Sequence, residues 1–269
     1  MTEMAQSSQR AEFLGLWFDR LDQGQVLQLL RQRRGAGEFG YVVTPNVDHI
    51  VAQRKQSADG EVRSAYANAD LLLCDSRILQ MLARRSGVRL PLVTGSDLTV
   101  RLLGDVQECG GGRIAIIGGS TAMLEDLRRL YPAIAWQQHV PPMGVRQDAG
   151  LQQEIVRFVE AVGADHVLFA IGAPQSELVC AALAQRGKAA GWGLCIGASL
   201  EFATGVKRRA PALMQRLGLE WLFRLLSEPR RLWRRYLIDG PKIFPAWLRW
   251  RASRSRPRGG SAASHGDPV

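Results

Sequence analysis

The 269-residue chain is most informative first in what it lacks. Its cysteines, Cys74, Cys109, Cys180 and Cys195, stand far apart, with no CxxC pair and no histidine at zinc-finger spacing. That argues against a zinc site or a disulfide framework. No uninterrupted apolar run reaches about 18 residues, and the opening MTEMAQSSQRAEFLGLWFDRL has no basic segment leading into a long apolar one. Neither a spanning helix nor a signal peptide is therefore expected, and a cytoplasmic location is. A G-x-S-x-G elbow is missing, as are the full G-x-G-x-x-G spacing and the Walker lysine, which disfavours a serine hydrolase and weakens two familiar nucleotide-binding readings. There is no clear Asp-x-Asp pair for a divalent metal. His139 and His166 have no second ligand candidate nearby in sequence and receive no role. Acidic residues are scarce in one stretch only: residues 206–258 hold 15 Lys and Arg but only Glu220, Glu228 and Asp239. The formal charge of +10 thus belongs to the C-terminal quarter.

What is present is an ordinary globular body, with 46% hydrophobic and 22% charged residues, enough to bury a substantial core. Short apolar runs recur at Tyr41–Thr44, Leu71–Cys74, Arg113–Ile117, His166–Ile171 and Trp192–Ile196. Between them, Asp48–Ala67, Ser76–Ser86, Ser96–Asp105, Ser120–Leu130, Leu151–Val162 and Ser176–Arg186 carry apolar residues at helical spacing. This alternation predicts an α/β, Rossmann-like fold with a mostly parallel sheet flanked by helices.

Ligands of open α/β sheets sit beyond the carboxyl ends of the strands. Here the runs lead into Thr44-Pro45-Asn46, Asp75-Ser76, Gly118-Gly119-Ser120, Gly172-Ala173-Pro174 and Gly197-Ala198-Ser199. Gly118-Gly119-Ser120 suits a phosphate cradle at a helix start and suits a plain strand-to-helix turn equally well. Asp75 could act as a general base if partly buried, or could cap the following helix together with Ser76; position alone favours the cap. Thr44 and Asn46 could hold a sugar or nucleotide, or form an Asx-type turn around Pro45.

After Gly205 the chain turns to basic, aromatic, amphipathic helices, with Trp221, Phe223, Trp233, Tyr236, Phe244, Trp247 and Trp250 interleaved among arginines. Such mixing suits the headgroup boundary of an anionic membrane, while a solvated basic face over core aromatics would look similar. Nucleic-acid binding rests on charge alone and is not expected. The expected division is an α/β body over 1–205, a basic helical appendage over 206–250 and a disordered tail over 251–269.

Taken in order, these residues resemble the WecG/TagA/CpsF glycosyltransferase family over roughly residues 13–238. Thr44-Pro45-Asn46 is similar to its TPN, Ala69–Asp75 to ADLVLPD, Val93–Leu98 to VTGxDL, and Ile116–Gly119 to LLGG. Pro141–Gly144 is similar to PPFG, and Gly172-Ala173-Pro174 with Glu177 to GxPKQE. Arg209-Ala210-Pro211, Leu219–Leu225 and Glu228–Leu232 resemble RAP, LEWLYRL and EPxRL.

The resemblance implies inverting transfer from a UDP-sugar to a polyprenyl-diphosphate-linked saccharide, in cell-surface or exopolysaccharide assembly, by a peripheral protein on the inner face of the plasma membrane. It makes Asp75 the base, reversing the preference for a cap. It puts Thr44, Asn46, Gly118, Gly119, Gly172, Pro174, Ser176, Glu177 and Glu201 around the substrates, with Arg209, Arg224, Arg230 and Arg231 closing on the diphosphate. No metal is implied, arginine standing in its place, and self-association through the body is compatible. The alternative is a non-catalytic scaffold of a polysaccharide assembly. Departures occur at Leu92, where relatives have Arg, at Ser176 in place of Gln, and at Glu201 in place of Asp. A changed donor or acceptor is the expected consequence.

Overall fold

A computed structural model describes residues 10–32, 38–55, 60–207, 209–211, 213–214 and 217–255. It opens with an antiparallel hairpin, β1 (Arg10–Phe13) and β2 (Leu16–Asp19). Phe13 pairs with Leu16, and both loop residues, Leu14 (φ 56°) and Gly15 (φ 88°), are left-handed. Two such residues form the turn whose twist suits a tight hairpin. The sequence reading did not anticipate it, because Leu-Gly is not the usual signal for this turn. Asp19 ties the hairpin down, accepting hydrogen bonds from Arg10 Nε and the Leu72 backbone N–H, each at 2.8 Å.

The body continues through α1 (Gln23–Gln32), β3 (Phe39–Val43), α2 (Val47–Lys55), α3 (Gly60–Ala67), β4 (Leu71–Leu72), α4 (Arg77–Arg85) and α5 (Gly95–Glu108). Then come β5 (Gly112–Ile117), α6 (Thr121–Leu130), β6 (Ile134–His139), α7 (Ala149–Val162), β7 (His166–Phe169), α8 (Gln175–Arg186), β8 (Gly191–Cys195) and α9 (Ser199–Ala203). Six strands form one parallel sheet in the order β4-β3-β8-β7-β5-β6. The α/β, Rossmann-like expectation holds. All five apolar runs became strands; the sixth, β6, has no such run. It is an edge strand that buries Ile134 and Trp136 while Ala135 and Gln137 face out, so it alternates where the inner strands are continuously apolar. The single helix expected over 48–67 is instead α2 and α3, residues 56–59 lying outside the described set.

Every residue of β3, β7 and β8 is buried. Alternate side chains feed two cores: Tyr41, Val43, Ile117 and Phe169 on one face, Val42, Ile116, Leu168 and Leu194 on the other. Truncating a fully buried ring such as Phe169 to Ala would cost about 3–5 kcal/mol. Helix starts are fixed at the carboxyl edge of the sheet by side-chain caps. Ser76 Oγ accepts from Leu79 N at 3.3 Å, Thr94 Oγ1 from Asp97 N at 3.1 Å and Ser120 Oγ from Met123 N at 3.2 Å, each cap contributing about 1 kcal/mol.

The C-terminal arm comprises α10 (Glu220–Ser227), α11 (Pro229–Trp233), a π-helical stretch Arg234–Asp239, a 3₁₀ turn Gly240–Lys242 and α12 (Ile243–Ser255). Ile243, Ala246 and Trp250, three and seven residues apart along α12, are buried on one helical stripe. Trp250 meets Phe13 edge-to-face at 5.0 Å and donates from Nε1 to Glu12 Oε1 at 2.8 Å; Trp247 Nε1 donates to Ser86 Oγ at 2.7 Å.

These contacts correct two expectations. Of the seven interleaved aromatics, only Trp233 (50%) and Phe244 (44%) are substantially exposed. Trp250 is core and Trp247 is half-buried and bonded. The tail expected from 251 is helical through Ser255, because Arg254 pairs with Glu12 and lies over the Trp250 ring. Residues 256–269 lie outside the described set.

Candidate active site

The carboxyl ends of β3, β4, β5, β7 and β8 converge on one cleft of about 1210 Å³, roofed by the arm. Ligand pockets usually run to about 300–1,000 Å³, so this one has room for more than one small substrate. Thr44, Asn46, Asp75, Gly119, Gly172, Ser176, Glu177, Glu201, Arg224 and Arg231 line it, all of them expected from the sequence. Gly118, Pro174, Arg209 and Arg230 are not on its wall.

Each position has a local cause. Ser76 takes the cap of α4, so Asp75 is released from that duty and stands uncapped at the end of the β4 run. Its backbone N–H donates to Pro45 O at 3.0 Å, which fixes the β3 and β4 ends side by side. Thr44 is buried. A β-carbon at Gly95 would stand 3.0 Å from Thr44 Oγ1 and 3.4 Å from Ser199 Oγ, so a side chain there would press both hydroxyls out of place. Asn46 does form the Asx-type turn: its Oδ1 accepts from Asp48 N at 3.0 Å. In the glycine pair, Gly118 and Gly119 have φ of 95° and 73°, and a β-carbon on Gly119 would fall 2.0 Å from Met123 Cε. Met123 Cε is the mobile end of a side chain, so it is the left-handed backbone of both residues that calls for glycine here, whatever the turn also binds.

Ser176 is spent on the backbone, donating to Gly172 O at 2.8 Å. Glu177 beside it is buried, with Oε1 accepting from the Tyr66 hydroxyl at 3.3 Å and Oε2 without a hydrogen-bond partner. Burial raises its carboxyl to about 7.

Asp75 is the most perturbed acid in the cleft. Burial, reinforced by Glu220 and Asp97, raises its pKa to about 8, against the pull of Arg224 and a hydrogen bond from the Gly95 backbone. Asp97 behaves oppositely. Burial pushes it up, but hydrogen bonds from Thr94 and Arg209 outweigh that and hold it below the usual range.

The arm's cations differ in how far they are committed. Arg209 pairs with Asp97, Arg231 with Glu228 and Arg235 with Asp48. Lys207 bridges Glu201 at 2.6 Å and Glu228 at 3.4 Å. Arg224 pairs with no carboxylate among the described residues; its guanidinium lies 5.4 Å from the centre of the Phe202 ring. Arg230 is exposed away from the cleft. The arrangement sets one strongly basic carboxylate on the body against a cationic roof.

Sequence reasoning missed His49, Thr94, Trp221, Arg235 and Tyr236, which also line the cleft. His49 accepts at Nδ1 from Asn46 N at 3.2 Å, and burial followed by Arg235 lowers its pKa to about 4, keeping it neutral. Its only signal was its place three residues after Asn46. Arg235 and Tyr236 were counted with a basic helix rather than with a site.

A family model described as "Glycosyl transferase WecG/TagA/CpsF family" matches residues 11–257. The chain belongs to that family and is a glycosyltransferase acting in cell-surface polymer biosynthesis.

Proposed function

We propose that the protein transfers a sugar, with inversion, from a UDP-sugar to a polyprenyl-diphosphate-linked saccharide, with Asp75 as general base. The observation that carries this reading is the raised Asp75 carboxyl, at about 8, facing the uncommitted guanidinium of Arg224 across a cleft large enough for donor and acceptor. As the acceptor hydroxyl oxygen attacks the anomeric carbon, its proton passes to the Asp75 carboxylate. The bond from that carbon to the diphosphate breaks, and its electron pair leaves on the UDP oxygen. Arg224 and Arg231, with the Gly119 turn, stabilise that charge. Arginine takes the part a divalent ion would otherwise play. Among the described residues no three of His, Cys, Asp or Glu are grouped as metal ligands.

The arm attaches the enzyme to the cytoplasmic face of an anionic membrane. Support comes from Leu226, Trp233, Leu237, Ile238, Phe244 and Leu248, all exposed among arginines. Among the described residues no helix is long and apolar enough to cross a membrane.

The test is UDP release from a panel of UDP-sugars, with and without a short-chain polyprenyl-diphosphate disaccharide, comparing wild type with Asp75→Asn. Release that requires both acceptor and Asp75 is expected. Polymer output in cells unchanged by Asp75→Asn would overturn the enzymatic reading in favour of the scaffold.

A further inference from the structure

In the proposed transfer the donor spans two points on the carboxyl edge of the sheet. Its diphosphate side meets the Gly119 turn after β5, and its anomeric carbon meets Asp75 after β4. In the strand order β4-β3-β8-β7-β5 the ends of β3, β8 and β7 lie between those points, so the donor's sugar passes over them.

The floor there is chemically unlike the roof. Of the arginines on the cleft wall, Arg224, Arg231 and Arg235 belong to the arm and Arg77 opens α4. Among the described residues that line the cleft at 44–49, 170–177 and 195–206, none is lysine or arginine. Two floor hydroxyls are spent on the backbone: Ser176 donates to Gly172 O at 2.8 Å and Ser199 to Ile196 O at 2.6 Å. Glu177 and His49 keep an unused function. Glu177, on the first turn of α8, is 2% exposed, and its Oε2 has no hydrogen-bond partner. A buried carboxyl oxygen left so costs stability unless a ligand brings it a donor. His49 accepts from the Asn46 N–H at Nδ1, so the proton of its neutral ring sits on Nε2 and that nitrogen is a donor. Tyr66 stands between the two: its hydroxyl donates to Glu177 Oε1 at 3.3 Å, and its ring meets the His49 ring edge-on with centroids 6.4 Å apart.

One acceptor oxygen and one N–H donor, contributed by different helices, suit sugar hydroxyls, which both give and take hydrogen bonds. A uronic acid would instead bring a carboxylate, an acceptor only, to a floor that has no guanidinium to receive it and already holds the Glu177 carboxyl.

We infer that Glu177 and His49, joined by Tyr66, form the donor-sugar subsite and that the sugar seated there is uncharged, a hexose or its N-acetyl derivative rather than a uronic acid. This rests on the proposed transfer from a UDP-sugar and deepens it.

The test is titration calorimetry of the full chain at pH 8, without acceptor. The ligands are UDP and pairs of UDP-sugars of gluco, galacto and manno configuration, each uncharged sugar beside its uronic acid. At that pH the Glu177 carboxyl, which burial raises to about 7, is ionised. In wild type one uncharged UDP-sugar should bind at least about tenfold tighter than its uronic counterpart, as like charges brought together require. Glu177→Gln should weaken that UDP-sugar about tenfold, the loss of one charged hydrogen bond, with UDP within about twofold of wild type and the uronic counterpart bound no worse. His49→Leu, which removes the Nε2 donor, should weaken the same UDP-sugar about fivefold and leave UDP unchanged.

Equal weakening of UDP and of every UDP-sugar would make Glu177 and His49 structural and overturn the subsite, as would no change in either variant. A wild type that binds both members of every pair equally, or prefers the uronic one, would overturn the uncharged sugar. Unchanged donor binding with an acceptor KM about tenfold higher in Glu177→Gln would move Glu177 to the acceptor and overturn the donor assignment. These affinities need no turnover, so they decide the subsite even where the Asp75→Asn comparison of UDP release fails. A wild type that binds neither UDP nor any UDP-sugar would sink both.

Discussion

The two walls of the catalytic cleft are built differently. On the body side the candidate functional groups follow strands that are buried throughout, Thr44 after β3, Asp75 after β4 and Gly172 after β7, or over their last four residues, Gly119 after β5. On the arm side α10 has no fully buried residue, and α11 only Leu232. The arm's cations are positioned by ion pairs and ring contacts instead, and its far end is fixed by Trp250 and Trp247. In the proposed mechanism the body therefore sets the base rigidly, whereas the arm brings the charges that meet the leaving group. Substitutions on the two sides should fail in different ways.

The largest effect belongs to the body. Asp75→Asn should lower kcat by about 10²–10⁴, the usual contribution of a positioned base, without unfolding the protein. Its stability should change in the opposite direction. The native carboxyl keeps its proton up to about pH 8, whereas the unfolded chain releases it near the ordinary carboxylate value of about 3.9. Between those limits unfolding releases a proton, so wild-type stability falls as pH rises. Asn carries no such penalty. The variant should melt at a higher temperature than wild type at pH 8, the two curves converging towards pH 4; calorimetry across that range checks it. A lower melting temperature at pH 8 would mean that Asp75 is a structural residue.

On the arm, Arg224→Gln should cost about 10²–10³ in kcat, as loss of one charge-stabilising donor does. Arg230→Gln should leave kcat within about twofold of wild type, since Arg230 is exposed away from the cleft. Equal losses in steady-state assays would erase the distinction between cleft-facing and solvent-facing arginines.

The walls also communicate through charge. With Asp75 as the proposed base its carboxylate is the active form, so kcat/KM should fall as pH drops through about 8, roughly tenfold per pH unit below it. Glu220, on α10, is the main charge raising Asp75, and Arg224 the main one lowering it. Glu220→Gln should therefore shift the limb to lower pH. A limb unmoved by Glu220→Gln would separate the arm from the base.

Much of this was legible in the sequence because inner strands of a parallel sheet are continuous apolar runs and the turns after them carry the chemistry. Asp75, Thr44 and Glu177 could be picked out by that rule and by ordered motifs. What escaped depended on tertiary placement. β6 is half-exposed and alternates, and the hairpin turns on a left-handed Leu14 that no local signal marks. Trp247 and Trp250 read like the exposed aromatics around them until Ser86 and Glu12 supplied partners for their indole N–H groups. His49 and Arg235 reached the site only because the arm folds back over α2, a contact between segments far apart in sequence.

The smallest expected effect tests whether the arm's anchor and its cationic face act separately. Trp250→Phe keeps a ring against Phe13 and removes the indole donor to Glu12. Glu12 is not stranded, because its carboxylate also accepts from the Gly15 backbone N–H at 2.8 Å and meets Arg254 at 3.2 Å. The cost should therefore be that of one hydrogen bond, about 0.5–1.5 kcal/mol, read as a melting temperature lower by on the order of 2–4 °C. Because α10 and Arg224 are joined to α12 only through the 229–242 segment, kcat should stay within about twofold of wild type. A tenfold loss of kcat at unchanged KM would show that the Trp250 anchor sets the position of Arg224, and that the second wall is held from its far end.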